Sequence, residues 1–443
     1  MTLKYSYGHI WKVAYPILIS LIMEQLIGMT DTAFLGRVGE VELGASAIAG
    51  VFYLAIFVTG FGFGIGSQII IARRNGERNY KETGNIFYHG LYFLICLAVL
   101  IIGLSEILSP YILGKIVSSD LIAYAAMDYV RWRLTGLIFA FATVMFRAFY
   151  VGTTQTKTLT LNSIVMVLSN VLFNWILVFG HLGLPALGIA GAAIGSTLAE
   201  LVSLIFFIVY TACKTDCRKY GLDTKIKFSI SKLKSILSIS VWTMVQNFFS
   251  ITTWFIFFLC VEHLGERALA VSNVVRSISG FIWVFVSAFS STCSSLVSNL
   301  IGEGHKESVP NLILRVIKLT YIPVTVLLVF FAIFPESVIG IYTDIQGIVD
   351  DSVYSLWVLC LSYLLTTPAL ICFNAISGTG NTKTAFGLEM IVLILYTAFC
   401  LIIINGMKPP VWVAWFTESL YAFAMLILSA SYLRSGRWKE KKL

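Results

Sequence analysis

The sequence predicts an all-α membrane protein whose twelve transmembrane helices form two six-helix lobes. Three observations lead to this prediction: a composition poor in charge, twelve long apolar stretches, and an internal duplication. Only 12% of the 443 residues are charged and 58% are hydrophobic, whereas soluble domains carry roughly 25% charged residues. A soluble globule could not cover so much apolar surface, which excludes a soluble enzyme, a disordered chain and a nucleic-acid-binding protein.

The apolar stretches set the number of helices, because one helical span needs about 20 apolar residues. Transmembrane β-strands would instead be ~10-residue segments of alternating polarity, and these stretches are longer and apolar all round. The first begins near His9 with no small-residue cleavage site after it, so we expect a membrane helix and not a removed signal peptide. The stretches are centred near residues 22, 58, 97, 135, 170, 200, 248, 284, 322, 362, 396 and 422.

The basic residues that give the net charge of +8 cluster in alternate connections, as membrane topology requires. We therefore expect the even-numbered connections and both termini to be cytoplasmic, and the protein to lie in the plasma (inner) membrane. The basic residues of these segments are Arg73, Arg74, Arg78 and Lys81 after the second stretch; Lys214, Arg218, Lys219, Lys225, Lys227, Lys232 and Lys234 after the sixth; and Arg434, Arg437, Lys439, Lys441 and Lys442 in the tail.

The two halves of the chain are related by a shift of 226 residues. VGEVELGAS (Val38 to Ser46) lies over LGERALAVS (Leu264 to Ser272), and GTTQTKT (Gly152 to Thr158) lies over GTGNTKT (Gly378 to Thr384). Each repeat has an even number of helices, so we expect a pseudo-two-fold axis along the membrane normal. Such repeats are typical of transporters, the alternative being a duplicated structural scaffold. The predicted domains are a lobe at 1–212, a cytoplasmic basic linker at 213–234, and a lobe with a basic tail at 235–443.

Ionisable residues inside the apolar stretches are candidates for function, because each costs about 2.5 to 3.5 kcal/mol to insert. Besides Glu24 and Asp31 in the first stretch, Glu200, Glu389 and Glu418 lie at this depth without a predicted role, and Arg276 is the one deep basic residue. No metal-ligand cluster or nucleophile–His–acid set is visible there, so we predict no enzyme activity and no cofactor.

The first stretch combines two carboxyl groups with a proline. Glu24 and Asp31 are nearly two helical turns apart on one face, with Gln25 beside them, and Pro16 is expected to act as a hinge. Asp31 is either a functional carboxylate or a cap of the loop that follows. Glu24 is either functional or hydrogen-bonded within its bundle.

Two further motifs have structural alternatives. Asn170 and Asn174, spaced i, i+4, could coordinate a cation, but helix–helix hydrogen bonding is favoured for them on spacing alone. The glycines of GFGFGIG (Gly60 to Gly66) indicate close helix packing, because the segment lacks the features of a phosphate-binding loop.

Taken together and in order, several segments resemble the multidrug and toxic compound extrusion (MATE) family over nearly the whole chain. The segments are Pro16…Gln25…Asp31-Thr32…Gly36…Gly39, GFGFGIGSQIIIARRNGE (Gly60 to Glu77), the two GTxxTKT turns, and SNVLFNWILVFGHLGLPALGIAGAAIGS (Ser169 to Ser196).

The resemblance implies a V-shaped pair of lobes that exports amphipathic, often cationic, small molecules in exchange for sodium ions or protons. It also implies a cation site at Asp31, Asn170, Asn174 and Ser196, with sodium at Asp31 as the one possible metal. Other members place acidic residues where Ser250 and Thr366 stand here, so coupling through the second lobe in that manner is not expected.

The resulting hypothesis makes Asp31 the coupling carboxylate, with Glu24 and Gln25 as accessory residues. We expect no nucleic-acid partner, contact with membrane lipid, and a monomer. A cleft lined by aromatic residues would suit lipophilic cations; the candidates are Phe34, Phe149, Tyr150, Trp254 and Phe258. The alternative is a flippase of the same superfamily for a lipid-linked precursor, which would need a cationic cleft, for which Arg276 and Arg147 are the candidates.

Overall fold

The structure is a computed structural model that describes residues 5–116, 119–223 and 227–440. These residues are almost entirely helical and contain no strand. Lys225 of the predicted linker and Lys441 and Lys442 of the tail lie outside the described residues. The α-helices are α1 Tyr7–Val38, α2 Glu40–Gly76, α3 Tyr80–Ile116, α4 Asp120–Thr135, α5 Leu137–Gly152, α6 Lys157–Phe179, α7 Gly188–Lys214, α8 Cys217–Tyr220, α9 Ile230–Glu262, α10 Glu266–Gly302, α11 Val309–Ile333, α12 Pro335–Ile339, α13 Gln346–Gly378, α14 Thr382–Phe399, α15 Val411–Ala414 and α16 Phe416–Arg434.

The predicted number of spans is confirmed. In the described ranges, eleven helical segments are long and apolar enough to cross a membrane, and α4 with α5 makes a twelfth span bent by 47°. The bend lies at Gly136, where an added Cβ would meet the side chains of Thr197 and Glu200 on α7. The break therefore occurs where side chains of α7 lie against the backbone, and glycine is a common site of such kinks.

The helix boundaries repeat with the offset found in the sequence. α2 and α10 begin and end 226 residues apart, at Glu40–Gly76 and Glu266–Gly302. The α4–α5 pair and α13 show the same separation, although α13 is one continuous helix with Pro368 inside it. The duplication thus fixes where these helices start and stop, while each repeat bends in its own way.

The chain divides into two compact units, and both divisions fall inside a helix. Ile19–Met244 forms the first unit; Met1–Leu18 together with Val245–Leu443 forms the second unit. The divisions, within α1 and within α9, are again 226 residues apart. The first lies two residues after Pro16, which α1 contains without interruption.

Each unit has its own apolar core. In the first unit, Leu35 of α1 packs with small residues of α2 and α7 such as Ala45 and Ala192. In the second unit, the buried rings of Phe257 and Trp415 lie 5.3 Å apart within a cluster that spans most of its helices.

The glycine-rich segment of α2 packs closely against two helices of the first unit, as predicted. A Cβ at Gly60 or Gly64 would overlap side chains of α5, and one at Gly62 or Gly66 would overlap the backbone of α9 at residues 240–244. The alternating glycines therefore admit one neighbour on each of two faces.

Candidate functional site

Asp31 is held between α6 and α7 through both of its carboxylate oxygens. Asn174 donates from Nδ2 to Asp31 Oδ1 at 2.6 Å, and Ser196 donates from Oγ to Asp31 Oδ2 at 3.2 Å. Asn170 donates to Ser196 Oγ at 3.1 Å, and Asn174 also approaches Asn170 Oδ1 at 3.3 Å. The four residues that the resemblance grouped are therefore joined in one hydrogen-bond network.

The close approach of α6 and α7 makes this network possible. A Cβ at Gly195 would overlap Asn174 Oδ1, and a Cβ at Gly191 would overlap the carbonyl of Leu177. A second polar pair joins the same two helices, since Asn162 and Ser203 bond reciprocally at 2.9 and 3.0 Å. Small residues spaced i, i+4 on α7 thus bring the asparagines of α6 within hydrogen-bond reach.

The network keeps oxygen atoms available for a cation. Asn170 and Asn174 are 1% and 0% exposed, and Asn174 Oδ1 is buried without a hydrogen-bond partner. A buried amide oxygen that lacks a partner costs free energy, and a bound cation would supply that partner. Carboxylate, amide and hydroxyl oxygens are ligands for hard cations. In the described part of the chain, no group of three His, Cys, Asp or Glu residues forms a conventional metal site.

A buried ion pair adjoins Asp31. Arg133 of α4 contacts Glu200 Oε1 of α7 at 2.7 Å, with side chains only 14% and 7% exposed. Its guanidinium lies 4.0 Å from the ring centroid of Tyr53, whose hydroxyl donates to the same glutamate oxygen at 3.3 Å. Arg133 also interacts electrostatically with Asp31. Glu200 follows Ser196 by one helical turn, so the ion pair and the network share one face of α7.

Sequence reasoning missed Arg133. It gives Arg276 as the one deep basic residue. In the structure Arg276 is exposed, with its guanidinium 5.8 Å from the ring centroid of Phe258. Glu200 could have indicated the position of Arg133, because a carboxylate at this depth in an apolar helix requires a nearby cation.

The accessory residues lie elsewhere on α1. Glu24 pairs with Arg147 of α5 at 2.7 Å and its side chain is 49% exposed. Gln25 is exposed. The structure thus joins Asp31 to α6 and α7 and joins Glu24 to α5, so the shared helical face does not make them one site.

The aromatic candidates for the cleft divide into exposed and buried residues. Trp254 is 39% exposed, and its ring packs 4.8 Å from that of Phe258. Phe34 is half-buried against Phe179. The prediction is wrong for Phe149 and Tyr150, which lie in the core of the first unit. They fill space between helices and line no cleft.

The fold defines a multi-pass membrane protein, and comparison with known proteins identifies its family. The MatE family model matches residues 16–176 and 233–402, more than half of the chain. This protein belongs to the MATE family of transporters, as the sequence resemblance predicted.

Relatives match the chain over most of its length at low identity. A probable multidrug resistance protein NorM of Thermotoga maritima is 22% identical over 444 residues, covering 97% of this chain and 92% of the relative. A probable multidrug resistance protein YoeA of Bacillus subtilis is 23% identical over 472 residues, covering 100% and 97%.

Two solved structures have the same fold. An outward-facing multidrug resistance MATE family transporter of the MOP superfamily matches with a TM-score of 0.88 at 19% identity, covering 98% of this chain and 97% of that one. The eukaryotic MATE transporter AtDTX14 matches with a TM-score of 0.86 at 17% identity, covering 98% and 96%.

Proposed function

We propose that this protein is a secondary active antiporter that exports amphipathic or cationic compounds in exchange for protons or sodium ions bound at Asp31. The names of the relatives, which are probable multidrug resistance proteins, support the substrate class. The observation that carries the proposal is the Asp31 carboxylate, fixed by Asn174 and Ser196 beside an ion pair that does not neutralise it.

The formal charges of the cluster explain why Asp31 would take up a cation. Asp31 and Glu200 contribute two negative charges and Arg133 contributes one positive charge, so the cluster carries one uncompensated negative charge. Burying a net charge is costly, and a single proton or sodium ion removes it. Since Arg133 is already engaged with Glu200 at 2.7 Å, Asp31 is the group left to take the incoming ion.

The residues around Asp31 can hold either ion. A sodium ion would be held by the Asp31 carboxylate, the Asn174 and Asn170 amide oxygens and the Ser196 hydroxyl. With a proton, the carboxyl group would become a hydrogen-bond donor, and the unpaired Asn174 Oδ1 is a buried acceptor in the same network. In both cases the charge holding α1 against α6 and α7 is removed, which changes the packing of α1.

Exchange follows if the compound and the ion favour different arrangements of α1. Thermodynamic linkage then requires each to weaken the binding of the other by the same factor. Pro16 is the proposed hinge for this rearrangement, with Glu24 and Gln25 as accessory residues. The exposed Trp254 and the partly buried Phe258 are aromatic residues suited to cationic compounds. The guanidinium of Arg276 already lies over the Phe258 ring.

We also propose the predicted topology and organisation. Both termini and the basic linker at 213–234 face the cytoplasm of the inner membrane, with lobes at 1–212 and 235–443. The protein acts as a monomer in contact with lipid. The flippase alternative is less well supported, because Arg147, one of its two candidate cations, is paired with Glu24.

Reconstituted vesicles test the proposal. Export of a fluorescent lipophilic cation is measured under a sodium gradient and then under a proton gradient, for the wild type, Asp31→Asn and the control Asp120→Asn. Asp120 is an exposed carboxylate at the start of α4 in the same unit. We expect one gradient to drive export, Asp31→Asn to lower it about tenfold or more, and the control to retain it. Full export by Asp31→Asn, or no response to either gradient, would contradict the proposal.

A further inference from the structure

A buried carboxylate in the second unit has no cationic partner. Glu389 of α14 is 3% exposed. Ser250 of α9 donates to Glu389 Oε1 at 2.6 Å, and the hydroxyl of Tyr421 on α16 donates to the same oxygen at 3.3 Å. The other oxygen, Oε2, is buried with no hydrogen-bond partner. In the ranges that the structure describes, no Lys, Arg or His forms an ion pair with Glu389.

This arrangement suits a carboxyl group that gains and loses a proton. An ionised carboxylate buried without a cation is strongly disfavoured, whereas Glu200 in the first unit has Arg133 at 2.7 Å. The donors at Glu389 are two neutral hydroxyls on a single oxygen. A proton on Oε2 would remove the buried charge and leave both existing hydrogen bonds in place.

In the ranges that the structure describes, the groups that contact Glu389 are neutral hydroxyls, and Tyr421 links it to a second carboxyl group. On α16, Tyr421 interacts with both Glu389 and Glu418, and Glu418 Oε1 accepts from Tyr396 of α14 at 2.9 Å. On α13, Tyr363 interacts with Glu418 and is hydrogen-bonded to Ser279. α9 contributes the non-titrating Ser250. The closest charged residue along α14 is Lys383, six residues or about 9 Å of helix away.

Glu389 is not a copy of the Asp31 site. At the 226-residue offset Asp31 corresponds to Phe257, a fully buried core residue. Glu389 corresponds to Ser163, which shares a 2.8 Å hydrogen bond with Ser20 in the first unit. At this position the second repeat has a carboxyl group, and the first repeat has a pair of neutral hydroxyls. The position differs from that of Asp31.

We propose that Glu389 is a second proton-binding site of this transporter, formed with the hydroxyls of Ser250 and Tyr421 in the second unit. The proposal rests on the proposed antiport function for its contribution to export. The step is a simple protonation: Oε2 takes a proton from water on one side of the membrane, forming one O–H bond, and that bond breaks when the proton leaves to the other side. Asp31 and Glu389 would then each accept one positive charge, one in each unit.

Infrared difference spectroscopy tests the site without depending on export. Spectra of the full chain in liposomes at low and high pH are subtracted for the wild type, Glu389→Gln and the control Glu262→Gln, an exposed carboxylate at the end of α9. We expect one component of the carboxylic-acid C=O band to be present in the wild type and the control and to be lost in Glu389→Gln, while the contributions of Asp31 and the other carboxyl groups remain. The conservative variant Ser250→Ala keeps the carboxyl group and removes one hydrogen bond, so the midpoint of the band should shift.

Export measurements separate this proposal from the proposed function. We expect Glu389→Gln to lower proton-driven export about tenfold or more, and Glu262→Gln to retain it. A wild type that exports under neither gradient would refute antiport, while the infrared band would still decide whether Glu389 takes up a proton. An unchanged band in Glu389→Gln, or an unshifted midpoint in Ser250→Ala, would overturn the second site. Binding of sodium at Glu389 without proton release would overturn it as well.

Discussion

Glu200→Gln tests the charge argument for the Asp31 site. The substitution removes one carboxylate from a pair whose members are 14% and 7% exposed and 2.7 Å apart, so Arg133 is left buried without its partner. Breaking such a pair costs about 3–5 kcal/mol. It also removes the uncompensated negative charge of the cluster, because Asp31 and Arg133 then balance each other. We therefore expect lower stability together with loss of ion-driven export.

The matched control is an exposed ion pair formed by the helix that carries Arg133, α4. Arg131, two residues before Arg133, pairs with Glu106 at 3.6 Å with side chains 70% and 51% exposed, and exposed pairs contribute about 0–1 kcal/mol. The free energy of unfolding is measured in mixed micelles for Glu200→Gln and Glu106→Gln. Replacing both partners, Arg133→Met with Glu200→Leu, should recover most of the lost stability. Equal losses for the two glutamine variants, or unchanged ion-driven export in Glu200→Gln, would refute the reasoning.

Two further predictions concern helix packing and pH. Gly195→Ala should lower ion-driven export about tenfold or more, because the added Cβ displaces the Asn174 amide from Asp31. The control Gly28→Ala should retain export, since the space around Gly28 is open. Equal export by the two variants would contradict this prediction. Burial raises the pKa of Tyr220 to about 12, so its stabilisation is complete below about pH 10 and is lost as pH rises through 12. Unfolding measured across this range should show a decline that Tyr220→Phe reduces, and superimposable curves would contradict it.

The sequence was sufficient for the number of helices, whereas the four residues of the proposed first site were grouped by the family resemblance and not by their spacing alone. Twelve stretches of suitable length are a direct consequence of bilayer thickness, and the i, i+4 spacing of Asn170 and Asn174 places both side chains on one face of α6. Which helix that face meets depends on the glycines of α7. GIAGAAIGS (Gly188 to Ser196) carries a small-residue spacing that permits close approach, although the sequence does not name the partner helix.

The errors have a common physical cause. In a helix that is apolar all round, the hydrophobic pattern does not distinguish the face toward protein from the face toward lipid or a cleft. Phe149 and Tyr150 were therefore assigned to a cleft although they are core residues. The Arg133–Glu200 pair joins residues 67 positions apart on α4 and α7, and no local pattern links them. Charged residues in apolar helices are better interpreted as pairs that need a partner than as separate candidates.

The duplicated helices carry different chemistry in the two repeats, which bears on how the two units could contribute to transport. The residues that the 226-residue offset aligns with Asp31, Asn170, Asn174 and Ser196 are Phe257, Tyr396, Cys400 and Ala422, and all four are buried. An aromatic contact of 6.3 Å between Phe257 and Tyr396 stands where the first repeat has its polar network. The second repeat instead buries Glu389, which lies about two turns before Tyr396 in α14. Because duplication preserved helix boundaries and not polar side chains, a charge that enters each unit meets a different set of ligands. If both proposed sites bind ions, their unlike composition would give them different affinities for the same ion.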